Sequence, residues 1–144
     1  MPIAAFISSG EIMGDIAYKP ALGHITTFGG HPVTSAAALA TLEELLGSHL
    51  IATVGAKSDH FVKRLQHPII EEVRAAGLMM AVQLTKKRYL KYVVQYTIEN
   101  GGLIDWFLFN NQAFRVAPPL IITHEQIDEA CDLLLAACDY ALAQ

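Results

Sequence analysis

From Pro32 to Leu46 apolar positions recur every three to four residues, with Val33, Ala36, Ala37, Ala40 and Leu45 on one face. That period predicts an α-helix. Pro32 suits its first turn and Gly47 its stop. His49 to Gln66 repeats the period, with Leu50, Val54, Phe61 and Leu65 as the apolar stripe. Then the pattern shortens. Ile69 to Val73 and Leu78 to Leu84 read as strands, and the Ala75-Ala76-Gly77 turn between them predicts a hairpin. Arg88 to Asn100 returns to the helical period and is closed by Gly101-Gly102. Leu103 to Phe109 and Ala113 to Ala117 read as two more strands, the second ended by Pro118-Pro119. Thr123 caps a final helix, and Gln126 three residues on completes a capping box. Glu125, Asp128 and Glu129 near its start complement the helix dipole.

The first thirty residues have another texture. Ile3 to Ser8 is a short apolar run that reads as a buried strand. Residues 10 to 30, with Gly10, Gly14, Pro20, Gly23, Gly29 and Gly30, read as loop. Helices grouped with a few strands give an α+β fold class.

The 144 residues suffice for one domain with a core of its own. Hydrophobic residues make up 53% and charged residues 17%, so some apolar surface is intended for a partner. No run approaches the roughly 18 to 20 apolar residues of a membrane span. The first six residues lack the basic start of a signal peptide. A net charge of −4 and the lack of a basic stripe argue against nucleic acid as a partner. Cys131 and Cys138 are too few for a disulfide framework, which suits a reduced, cytoplasmic protein. They stand seven apart on one helix face and read as buried free thiols. No two of the six histidines form a ligand pair at i, i+4 with an acid nearby, so no metal site is expected. Tyr89, Tyr92 and Tyr96 form a core or interface stripe on the third helix. Trp106, Phe107 and Phe109 read as core, with packing beside a substrate as the other reading.

Two segments carry candidate chemistry. In Gly23-His24-Ile25-Thr26-Thr27-Phe28-Gly29-Gly30-His31-Pro32, two hydroxyls and two glycines lead into a helix N-terminus. Free N–H groups, the helix dipole and the Thr26 and Thr27 hydroxyls suit a phosphate. A plain glycine loop capping a helix accounts for the same residues. In Phe114-Arg115-Val116-Ala117-Pro118-Pro119-Leu120 an arginine sits among apolar residues and must find an anion. A structural ion pair and a ligand carboxylate both satisfy it.

Taken in order, these segments resemble the class III aminotransferases, which include the acetylornithine, ornithine and 4-aminobutyrate enzymes. Thr26 to Pro32 with Ala36-Ala37-Ala38-Leu39 is similar to the family's phosphate loop and linker helix. Arg74-Ala75-Ala76-Gly77-Leu78-Met79 is similar to its R-G-x-G-L-M hairpin. Arg115-Val116-Ala117-Pro118-Pro119-Leu120, with Thr123 to Ala130 behind it, resembles its closing segment. Met1 to Phe6 resembles the strand that follows the family's cofactor lysine. His31 stands where the family has Asn, and Ala75 and Ala76 replace its first glycine region.

The resemblance implies the C-terminal part of a fold-type I pyridoxal 5'-phosphate enzyme. Residues 1–30 would end the large cofactor domain and include the last of its strands. Residues 31–47 would be the linker helix, and 48–144 the small domain. The activity implied is transfer of an amino group from an amine or amino acid to a 2-oxo acid by a homodimer. Thr26 and Thr27 would reach the cofactor phosphate. Arg115, with Phe28 and Gly29, would meet substrate. The Schiff-base lysine would lie upstream of Met1, since none of the six lysines stands at the matching place. The chain would then be inactive without the large domain. The alternative is a truncated or split module that serves binding or assembly without catalysis.

Overall fold

The computed structural model describes every residue except Lys19, Ala21, Leu22 and His24. Lys19, one of the six lysines, and His24 of the candidate phosphate segment therefore lie outside the described residues. The chain divides into two compact units, Met1–Ser48 and His49–Gln144.

In the first unit, α1 spans Gly10–Tyr18 and α2 spans Pro32–Gly47. Two expectations fail here. Residues 3–8 form no strand, and Gly10–Tyr18 is a helix where a loop was expected. The strand fails because an extended segment is stable only when a neighbour pairs its backbone groups, and no strand is present elsewhere in this unit's described residues. The helix forms because Ser9 starts it. The Ser9 hydroxyl accepts from the Ile12 N–H at 3.3 Å, and the Ser9 carbonyl accepts from the Met13 N–H at 3.0 Å. This is the N-cap chemistry of a serine, with Glu11 in the first turn. The glycines masked that signal. α2 starts as predicted, with Pro32 in its first turn; its N-cap is His31.

The second unit is α3 (Leu50–Arg64), β1 (Ile70–Ala76), β2 (Met79–Leu84), α4 (Lys87–Glu99), β3 (Asp105–Phe107), β4 (Asn110–Val116) and α5 (His124–Leu142). The four strands make one sheet of order β1-β2-β4-β3, antiparallel throughout. Gly77 turns the β1–β2 hairpin at φ 60°, a left-handed conformation that glycine adopts without steric cost.

Register assigns the faces. Val82 pairs with Val73 on one side and Phe114 on the other, and this row points inward. Met80, Val82, Leu84 and Phe114 are buried there against Phe61, Val93, Ile127, Cys131 and Leu134 of the helices. The next row, Arg74–Ala81–Arg115–Asp105, faces away from that core. The amphipathic periods read from the sequence thus bury one helix stripe and one sheet face, which removes apolar surface from water. The opposite sheet face stays open.

The capping box of α5 is present as predicted. The Thr123 hydroxyl accepts from the Gln126 N–H at 3.2 Å, and the Gln126 side chain accepts from the Thr123 N–H at 3.0 Å. Thr123→Ala removes the first of these bonds and should cost about 1 kcal/mol. Urea unfolding with an unchanged m-value reads that loss, and an unaltered midpoint would show that the cap contributes nothing.

Candidate functional site

Chemistry-bearing side chains collect in three places, one in the first unit and two in the second. In the first unit a tight turn covers residues 27–30. The Thr26 carbonyl accepts from the Gly29 N–H at 3.2 Å, and the Phe28 carbonyl accepts from the His31 N–H at 3.2 Å. Gly30 takes φ 69°. A Cβ on Gly29 would stand 2.7 Å from the Thr26 hydroxyl, so any larger residue would push into that oxygen. No internal hydrogen bond involves either hydroxyl, Thr26 or Thr27, among the described residues, and both residues are exposed. His31 caps the start of α2. Its Nδ1 accepts from the Val33 N–H at 3.3 Å. The turn therefore brings Thr26, Thr27, Phe28 and Gly29 together at the start of α2.

The second place is the open face of the sheet. Arg115 lies there in an ion pair with Asp105, its cross-strand partner on β3. The other Asp105 oxygen accepts from the Trp106 N–H at 2.8 Å. Its neighbours in sequence are apolar, but the Arg115 side chain is 40% exposed. The reason is register: one residue either way, Phe114 and Val116 face the core while Arg115 points out. Trp106 and Phe109 also depart from the core expected for them, at 54% and 101% exposure. They belong to the edge hairpin of β3 and β4, which has a single neighbouring strand to bury against.

That hairpin walls an open concavity of about 760 Å³, with Arg74, Ala81 and Arg115 on its floor. Arg74 pairs with Glu72 at 2.6 Å. Its other arm reaches Gln83 at 3.4 Å, and Gln83 also accepts from Asn110 at 2.9 Å. A carboxylate entering this concavity meets two guanidinium groups and an aromatic wall. Asp105 as partner of Arg115 was not legible in the sequence. The two are ten residues apart across a hairpin whose register only folding sets.

A third cluster joins α3 to α5. The Nδ1 atoms of His60 and His124 are 2.9 Å apart, and His60 Nε2 is 2.7 Å from Asp128. The hydrogen bond with His60 holds the Asp128 carboxyl below its ordinary value of 3.8. Arg64 adds an ion pair to Asp132 and stands 3.1 Å from Asp128. Its Nε faces Asp128 as an ion pair without the alignment of a hydrogen bond. Residues more than sixty apart form this latch, so no local motif announced it. Among the described residues no group of three or more side chains is arranged to hold a metal ion.

Cys131 and Cys138 are free and buried, as read from the sequence. Burial pushes the Cys131 thiol up to about 11 and the Cys138 thiol to about 12. Neither is a nucleophile at neutral pH, since the thiolate is the reactive form. A thiol reagent at pH 8 should leave the native chain unmodified and label two cysteines after denaturation; rapid native labelling would contradict this burial. The pH effect has a definite sign. The unfolded chain ionises its thiols near 9.0, while the folded chain keeps them protonated further up. Stability from this source is intact below pH 9 and falls as pH rises above it.

Among the described residues no single helix is long and apolar enough to cross a membrane.

Comparison with known proteins gives concordant results. A family model described as aminotransferase class-III matches residues 1–138. The chain is 36% identical over 151 residues to an acetylornithine aminotransferase of Mycobacterium leprae, covering all of this chain and 35% of that protein. It is 36% identical over 146 residues to a leucine/methionine racemase of Thermococcus litoralis, covering 93% and 32%. Among solved structures, a PMP-bound aminotransferase from Vibrio fluvialis matches with a TM-score of 0.79 at 25% identity, covering 92% of this chain and 32% of that one. A phospholyase from Arthrobacter matches with a TM-score of 0.81 at 22% identity, covering 92% and 34%, which speaks for the fold alone. The chain spans about a third of the length of the curated relatives it matches.

Proposed function

This chain belongs to the class III aminotransferases, and on that premise we propose that it is the C-terminal part of a transaminase moving an amino group from an amine or amino acid to a 2-oxo acid. The family works with pyridoxal phosphate. When bound, that group supplies the electron sink for the transfer, and the protein supplies position and charge.

In this reading residues 1–30 end the large cofactor domain, 31–47 are the linker helix and 48–144 the small domain. Thr26 and Thr27 donate to the cofactor phosphate at the start of α2, where helix N–H groups favour an anion. What supports this is a turn whose two hydroxyls are free and whose Gly29 leaves the Thr26 oxygen uncovered. Phe28 and Gly29 sit beside that phosphate at the substrate end. Arg115 receives a substrate carboxylate. The active unit is a cytoplasmic homodimer, the cofactor-binding lysine lies outside this chain, and the chain by itself is inactive.

The observation that carries the reading is Arg115 on the open sheet face, held among the described residues by an exposed carboxylate alone. An exposed pair of this kind is worth about 0–1 kcal/mol, so a substrate carboxylate can take the place of Asp105. A planar guanidinium grips a carboxylate through two parallel hydrogen bonds.

The test is direct. The intact protein, loaded with pyridoxal phosphate and given an amino acid and a 2-oxo acid, should produce the exchanged pair, measured by chromatography. The isolated chain given the same mixture should produce none. If the intact protein transfers no amino group to any of a panel of 2-oxo acids, transamination is the wrong activity. If the isolated chain turns over, the lysine assignment is wrong.

A further inference from the structure

Arg115 is not alone on the open face. Arg74 on β1, Ala81 on β2 and Arg115 on β4 are successive cross-strand partners, so their side chains leave the sheet on the same side in one line. Adjacent strands lie about 4.8 Å apart, which sets the two arginine backbones about 10 Å from each other. Between them stands Ala81, whose methyl leaves the gap open. Both guanidinium groups line the same concavity.

Each is held by an acid that solvent also reaches. Arg74 is 47% exposed and its partner Glu72 56% exposed, and Arg115 and Asp105 are exposed to a similar degree. Neither pair is buried, so exchange of either acid for a ligand carboxylate leaves no charge stranded in an apolar interior. Arg74 is also held in place from below. Gln83 accepts from it, and Asn110 in turn donates to Gln83, so the arm is steered by β2 and β4 as well as by its own strand.

We propose that Arg74 is a specificity-determining residue, a second carboxylate clamp that makes the open sheet face select dicarboxylates over monocarboxylates. The inference rests on the reading of Arg115 as a carboxylate receptor. One end of a short dicarboxylate displaces Asp105 at Arg115, and the other displaces Glu72 at Arg74. The carbon chain crosses above Ala81. A monocarboxylate of equal length uses Arg115 alone and leaves the Arg74–Glu72 pair undisturbed. Lysine at position 74 would keep the charge and lose the two-pronged grip.

The chain itself, titrated calorimetrically with glutarate and with valerate, tests this without cofactor or turnover. Glutarate should bind at least tenfold more tightly than valerate. Arg74→Gln should erase that difference while leaving valerate unchanged, and Arg115→Gln should weaken both acids. If valerate binding depends on Arg115 but glutarate gains nothing over it, or if Arg74→Gln leaves the preference intact, Arg74 is not a clamp and the reading of Arg115 stands. If neither acid binds, or if Arg115→Gln leaves valerate binding untouched, the reading of Arg115 falls and this inference falls with it. Both positions face away from the core, so matched thermal melts of the variants separate lost binding from lost fold.

Discussion

Phe114→Ala lowers the unfolding free energy of the His49–Gln144 unit by about 3–5 kcal/mol. The side chain is wholly buried on the inner sheet face, in the row with Val82. It lies in the same cluster as Phe61, Val93, Ile127 and Leu134, so three helices and the sheet meet around it. Truncation removes the transfer free energy of the ring and leaves a cavity that the surrounding elements cannot all close. A domain has only about 5–15 kcal/mol to lose, so the variant should be near its folding threshold at room temperature. Guanidinium titration followed by far-UV circular dichroism measures the change. Phe114→Leu, which keeps most of the volume, should recover much of the loss. A loss under about 1 kcal/mol for Phe114→Ala would mean that the core can collapse around the gap.

Arg115→Lys in the intact, cofactor-loaded protein lowers kcat/KM for a dicarboxylic 2-oxo acid by about ten- to a hundredfold, the equivalent of roughly 1.5–3 kcal/mol for a charge-assisted bond. Lysine retains the charge but offers a point donor instead of a planar fork. The fold should be indifferent, since the Arg115–Asp105 pair is exposed and such pairs contribute little. The cofactor's absorbance on titration should also be nearly unchanged, because the phosphate contacts are assigned to Thr26 and Thr27 and not to Arg115. Steady-state kinetics beside a thermal melt decides the matter. Full activity with 2-oxoglutarate would reduce Arg115 to a structural ion pair. A collapsed melt would assign it to the fold.

Much of this was legible in the sequence because it depends on neighbours in the chain. The helical periods from Pro32 and from His49, the hairpin turning at Gly77, the Gly101-Gly102 stop and the Thr123–Gln126 capping box are local, and each appears within a residue or two of its expected place. His31 as N-cap and the buried thiols of Cys131 and Cys138 follow from local chemistry in the same way. So does the motif order that marks the family.

Three kinds of statement lay beyond the sequence. Whether residues 3–8 pair as a strand depends on a neighbour, which an apolar run cannot specify. Whether Trp106 and Phe109 are core depends on the order β1-β2-β4-β3, which puts β3 at an edge. Apolar composition is the same in a central strand and an edge strand. The site needed register most of all. Sequence named Arg115 as a charge that must find an anion. Only cross-strand pairing set Asp105 and Arg74 in its row, and only packing over more than sixty residues brought His60 to His124 and Asp128. The sequence by itself determined the helices and strands of the His49–Gln144 unit, the helix from Pro32, the capping box of α5 and the family resemblance, since these follow from interactions between near neighbours. The tertiary structure decided which side chains share a face, because that depends on pairings between segments that no local pattern encodes.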